Sequence, residues 1–128
     1  MEKRFTKHVE LTKEIIAACY EVHNALGPRL EERFYRDALL LELEMRNLRA
    51  EKEREYSVEY KGYKIGSHRI DIVVESKVVI ELKAVSGKLQ EVHIAQAVSE
   101  SQVSGLPVAL LVNFGDTSVQ VRRLESPS

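Results

Sequence analysis

The chain of 128 residues contains one cysteine, three prolines and no tryptophan. The lone thiol, Cys19, excludes a disulfide framework and a cysteine-based zinc site. Cys19 itself reads as a small core residue. No run of about 18 apolar residues occurs, so the sequence holds no candidate membrane-spanning helix. The opening stretch MEKRFTKHVELTKE lacks the apolar segment of a signal peptide, and a cytoplasmic location is the expectation. Internal repeats and low-complexity tracts are missing too. So is an excess of either charge, with 19 Lys and Arg against 20 Asp and Glu. Residues 1–60 carry 11 basic and 13 acidic groups, and residues 61–128 carry 8 and 7, so neither half is a basic platform. Tight sequence-independent binding to nucleic acid requires several neutralised phosphates. Any such contact must therefore come from a local site, or from a cleft built by more than one subunit.

What is present is enough aliphatic material for a core. Hydrophobic residues make up 44% of the chain, which excludes a wholly disordered protein. The length predicts one domain, residues 1–124, with 125–128 as a loose tail. Ile15, Cys19, Val22 and Leu26 recur at helical steps and predict a first helix that stops at Gly27-Pro28. Phe34, Ala38, Leu41, Met45 and Leu48 predict the buried stripe of a second, with Arg33, Arg36, Glu44 and Arg46 on its other side. The period then changes to two. Tyr56, Val58 and Tyr60 alternate with polar residues, Lys61-Gly62 reads as a turn, and a longer strand runs from Tyr63 to Val74. Glu75-Ser76-Lys77 breaks it before a strand from Val78 to Val85. A third helix is expected from Lys88 to about Ser104, with Gly105-Leu106-Pro107 ending it. The apolar run Val108 to Val112 fits a strand covered on both faces, and Ser118 to Leu124 fits an edge strand. The order α-α-β-β-β-α-β-β defines an α/β (α+β) domain with a mixed central sheet flanked by helices.

The chemistry concentrates in the second hairpin, Arg69-Ile70-Asp71-Ile72-Val73-Val74 and Val78-Val79-Ile80-Glu81-Leu82-Lys83. Side chains alternate across a strand. Ile70, Ile72 and Val74 share one face, and Val78, Ile80 and Leu82 match them. Asp71, Glu81 and Lys83 then stand on the other. A three-residue loop (Glu75, Ser76, Lys77) sets Asp71 opposite Glu81, whereas a two-residue loop sets them on opposite faces. The matching apolar triplets favour the first. Two carboxylates a few ångströms apart repel unless a cation or proton lies between them, and oxygen ligands suit Mg²⁺ or Mn²⁺. Lys83 projects to the same side, where it can orient a water or balance developing negative charge. The plainer alternative is an ion-pair cluster on a solvated face. In the third helix Leu89, Val92, Gln96, Ser99 and Val103 step three, four, three, four, so Gln96 interrupts a mostly apolar stripe. A buried amide requires partners, either a nearby backbone group or the acidic cluster. His23, His68 and His93 read as satisfied or exposed histidines; in a regular strand His68 faces away from Asp71.

Asp71, Glu81-Leu82-Lys83 and Gln96 resemble the PD-(D/E)XK nuclease superfamily. More closely, the chain resembles the small GxxExxY proteins through Leu26-Gly27-Pro28, Glu32, Tyr35, Tyr60-Lys61-Gly62, Arg69-Ile70-Asp71, Ile80 to Val85, Gln96 and Leu111 to Gly115. The likeness covers residues 10–124. It implies a PD-(D/E)XK nuclease-like core and a divalent metal, Mg²⁺ or Mn²⁺, on Asp71, Glu81 and the Leu82 carbonyl. It also implies Lys83 as catalytic lysine, Gln96 as the helix glutamine and Glu32 as the acid from an early helix. The chain departs from the pattern twice: Arg29 replaces the first glycine of GxxExxY, and Glu100 stands where an aromatic follows the glutamine. The implied function is metal-dependent hydrolysis of DNA or RNA; the small, nearly neutral surface of one copy separately predicts a homo-oligomer, most simply a dimer. The competing reading is a nuclease-fold binding or assembly module with little turnover.

Overall fold

The computed structural model describes residues 7–125. Helix α1 (Val9–Leu26) buries Ile15, Cys19 and Val22 and ends at Gly27, whose φ of 75° lies in the left-handed region that glycine adopts without a Cβ clash. Helix α2 (Glu32–Met45) buries Tyr35, Leu39 and Leu43. The expected stripe is thus turned by one position: Phe34, Leu41 and Met45 are exposed. Residues 39–41 are three consecutive leucines, so the apolar period alone does not choose between faces. Tyr35 chooses. Its hydroxyl donates to the Gly27 carbonyl and accepts from the Leu30 amide at 3.1 Å, while its ring stacks on Phe114 at 4.8 Å. Leu26 also proves exposed.

Five strands follow: β1 (Ala50–Tyr60), β2 (Tyr63–Val74), β3 (Val78–Lys83), β4 (Val108–Asn113) and β5 (Gln120–Glu125). They form one mixed sheet in chain order. All neighbours are antiparallel except β3 and β4, which α3 (Glu91–Ser104) joins as a crossover. The element order and the α+β class are those read from the sequence. Glu125, expected in the tail, closes β5 and pairs with Arg123 at 3.0 Å; 126–128 lie outside the described residues.

Alternation gives the sheet two apolar faces. Ile72, Val74, Val78, Ile80, Leu82, Val108, Leu110 and Val112 pack against α1 and α2. Val73, Val79 and Ala109 form a second cluster with Leu106, which follows α3. Ile70 joins this second cluster, against the expectation that it shares a face with Ile72. The reason is a break in β2. The ladders pair Ile72 with Lys52 and Ile80, and Ile70 with Arg54, but leave Asp71 out of both. Opposite it, Glu53 has a φ of 55°. A strand interrupted at one residue can change the faces its side chains occupy.

Helix α3 also differs from its expected face. Val92 and Gln96 are exposed, and Ala97 is its buried residue. Its 14 residues carry few large apolar side chains, so the pattern is weak and tertiary contact with the sheet sets the orientation.

Candidate metal centre

The hairpin loop is three residues long, since Val74 pairs with Val78 and Ile72 with Ile80. Continued by one step, this register sets Asp71 opposite Glu81. The strands part there, and the Asp71 side chain bridges the gap: its Oδ2 accepts the Leu82 amide at 2.8 Å. One carboxylate oxygen is thereby fixed by the backbone of the strand that carries Glu81 and Lys83.

Glu81 is 7% exposed and its Oε1 has no hydrogen-bond partner. Burial is the first cause that pushes its pKa from 4.5 up to about 10. The nearby Glu100 carboxyl and repulsion from Asp71 and Glu100 add to it, and Lys83 opposes the rise. Burial also raises Asp71, against the lowering pull of the Leu82 N–H and of Lys83 and Arg36. Glu32 opens α2. Loss of surrounding water and the Asp71 charge raise its pKa although it keeps an exposed face, while Lys83 and Arg36 pull it down. Asp71, Glu81, Lys83 and Glu32 thus share one electrostatic environment where α2 meets the parting of β2 and β3. All three carboxyls are pushed upward, first by burial and then by mutual repulsion.

Gln96 reaches this group differently from the sequence reading. It is an exposed residue, and its Nε2 donates to Glu100 Oε1 at 3.1 Å. Glu100 in turn lies 3.7 Å from His68 Nε2. His68, expected to face away from Asp71, is carried to the α3 side by the break in β2. His68, Glu81 and Glu100 offer ligand atoms that all lie within 4.8 Å of one another. Sequence reasoning missed His68 and Arg36 and treated Glu100 only as a departure. The signal available was the four-residue spacing of Gln96 and Glu100 on one helix face. For His68 none existed, because the interruption in β2 has no local mark in the sequence. Of the other histidines, His23 bonds the Asp116 carbonyl through Nε2 at 2.9 Å, and His93 Nδ1 accepts the Gln90 amide at the start of α3 at 3.0 Å.

Behind the site, Asn113 joins the ends of β3 and β4. Its Oδ1 accepts the Val85 and Gly115 amides at 3.0 Å each, and its Nδ2 donates to the carbonyls of Val85 at 3.0 Å and Gly87 at 3.1 Å. Phe114 adds a backbone bond to the Lys83 carbonyl at 2.9 Å. Beyond it opens a cavity of about 400 Å³ walled by Arg29, Leu30, Ala84, Ser86, Asp116 and Thr117. Arg29, the first departure from the glycine pattern, therefore adds a cation to this wall.

A buried carboxylate oxygen without a partner, beside a second carboxylate and a lysine, fits a divalent cation. The mixed sheet, the helix on either side and an acidic centre at the parting of two strands define a class of α+β domains built around a carboxylate site. The sequence profile of the PD-(D/E)XK nuclease superfamily matches residues 9–124, nearly the whole chain, and the chain belongs to that superfamily. The crystal structure of SSO0001 shares its fold, with a TM-score of 0.51 and 20% identity over 95% of this chain and 61% of that one. The chain thus spans about 61% of that protein's length. No curated protein matches it.

Proposed function

We propose that the chain is a divalent-metal-dependent nuclease that hydrolyses phosphodiester bonds of DNA or RNA. The observation that carries the reading is the buried, unpartnered Glu81 oxygen beside Asp71, with Lys83 two residues further along the strand. Asp71, Glu81 and the Leu82 carbonyl would hold Mg²⁺ or Mn²⁺. Such an ion polarises a phosphoryl oxygen and lowers the pKa of a bound water. Lys83 orients the attacking water or offsets negative charge that develops on the phosphate. Glu32 approaches from α2 and extends the acidic group. Gln96 holds Glu100, and through it the outer side of the site. Arg29 on the cavity wall suits contact with a substrate phosphate. We place the chain closest to the GxxExxY proteins within the superfamily, acting in the cytoplasm as a dimer that doubles its small basic surface.

A nicking assay on single-stranded, duplex and branched DNA and RNA tests this reading. Wild type with Mg²⁺ or Mn²⁺ is expected to cleave at least one of them, and Lys83→Ala to abolish cleavage. The net charge of −1 favours one competitor, a nuclease-fold binding module. No ion binding and no cleavage across all substrates would install it instead.

A further inference from the structure

Two residues outside the proposed Asp71–Glu81 metal pair, His68 and Glu100, converge on Glu81. His68 Nε2 is buried and has no hydrogen-bond partner, and neither has Glu81 Oε1 on a residue 7% exposed. His68 stands on β2 and Glu81 on β3, while Glu100 reaches them from α3. Their ligand atoms form a triangle with every side within 4.8 Å. Ligands of an octahedral ion with bonds of about 2.1 Å stand about 3 Å apart when adjacent and about 4.2 Å when opposite. Small side-chain adjustments therefore close this triangle onto an ion. Gln96 steadies one corner by donating to Glu100 Oε1.

We propose that His68 and Glu100 join Glu81 as ligands of the divalent ion, and that the imidazole makes this seat select Mn²⁺ over Mg²⁺. This rests on the reading above that a divalent ion sits at Glu81, and it deepens that reading by naming further ligands and the ion class. Mg²⁺ takes oxygen ligands and gives up water reluctantly. An imidazole nitrogen suits first-row transition ions, and two carboxylates supply the charge that offsets the cation. Asp71 keeps one oxygen on the Leu82 amide, so it borders the seat while His68 and Glu100 complete it from the α3 side.

The test is calorimetry of the full chain with Mn²⁺ alone and Mg²⁺ alone, together with pulsed electron paramagnetic resonance of the Mn²⁺ complex. Wild type is expected to prefer Mn²⁺, with a nitrogen coupling in its spectrum. His68→Ala and Glu100→Gln are expected to lower Mn²⁺ affinity about tenfold or more. His68→Ala should also erase the nitrogen signal and the preference over Mg²⁺. The spectrum of wild type serves if either variant fails to fold: a bound Mn²⁺ without nitrogen coupling overturns the proposal. Mn²⁺ affinity unchanged in His68→Ala but lost in Asp71→Asn also overturns it, and leaves the metal-dependent reading in place. A wild type that binds neither ion overturns both.

Discussion

Among the described residues the Glu81 carboxyl is pushed furthest from its ordinary pKa, because it is buried beside two others. Its pKa is about 10 in the folded chain against 4.5 ordinarily, so the folded state holds a proton that the unfolded state releases. Asp71 and Glu32 are shifted in the same direction. The sign follows from linkage: stability from a raised pKa is complete below the ordinary value and is lost as pH rises toward the folded one. Metal-free protein is therefore expected to lose thermal stability steadily from about pH 5 to pH 9, and Glu81→Gln to flatten that slope. Calorimetric melts across the range check this. A cation must displace the Glu81 proton, so Mn²⁺ affinity should rise about tenfold per pH unit in the same window. An affinity independent of pH would mean that no carboxyl proton is displaced on binding. Lys83 offers the complementary case. Its half-buried side chain lies on no apolar cluster, so Lys83→Ala should abolish cleavage while changing stability by only about 0.5 kcal/mol. Urea unfolding beside a cleavage assay separates the two effects.

The elements that matter most for the site are the ends of β3 and β4, which Asn113 fastens together. Asn113 uses both of its polar atoms on the segment after Lys83 and on Gly115. Asn113→Ala leaves buried amides without partners, at about 1–3 kcal/mol for each such group. A large drop in the urea midpoint is expected, along with weaker activity, because the Lys83 end of β3 is then no longer held. Gly115 is there for space. A Cβ at this position would stand 2.4 Å from the Val85 backbone nitrogen and oxygen. Backbone cannot yield as a flexible side chain does, so Gly115→Ala should cost about 1–3 kcal/mol by overpacking. Gly105 makes the contrast: an added Cβ there would meet no atom within 4 Å, and its φ of 70° alone makes glycine favourable. A Gly115→Ala protein with an unchanged melting temperature would show that the two loops are not in close contact.

At the scale of the whole molecule, near-neutral charge sets the problem. One copy supplies 19 cations against 20 anions, whereas a duplex demands a broad positive track. The proposed dimer would meet this by setting two copies of the Lys83 and Arg29 region side by side. The expected mass by light scattering at micromolar concentration is twice the chain's 14.6 kDa. A monomer at every concentration tested removes the dimer from the proposed mechanism. No helix among the described residues is long and apolar enough to cross a membrane.

The sequence by itself determined what depends on near neighbours along the chain. Element type and order follow from the period of the apolar residues, and the three-residue loop from the matching of Ile72 and Val74 with Ile80 and Val78, although Ile70 falls on the other face. That register sets Asp71 opposite Glu81, with Lys83 two residues further along its strand, so the central acidic pair was legible before any coordinates. The buried face of α1, with Ile15, Cys19 and Val22, follows from that period too, whereas tertiary structure decided which face of α2 and of α3 is buried. For α2, three leucines in a row left the face open until the Tyr35 hydroxyl met the Gly27 carbonyl and the Leu30 amide. For α3, too few large apolar residues marked a face, and Gln96 emerged exposed while Glu100 turned inward. The meeting of His68, Glu81 and Glu100 was beyond reach for the same reason. It joins residues from two strands and a helix that lie far apart in the chain, beside an interruption at Asp71 where the carboxylate accepts the Leu82 amide, and no local period encodes such a meeting.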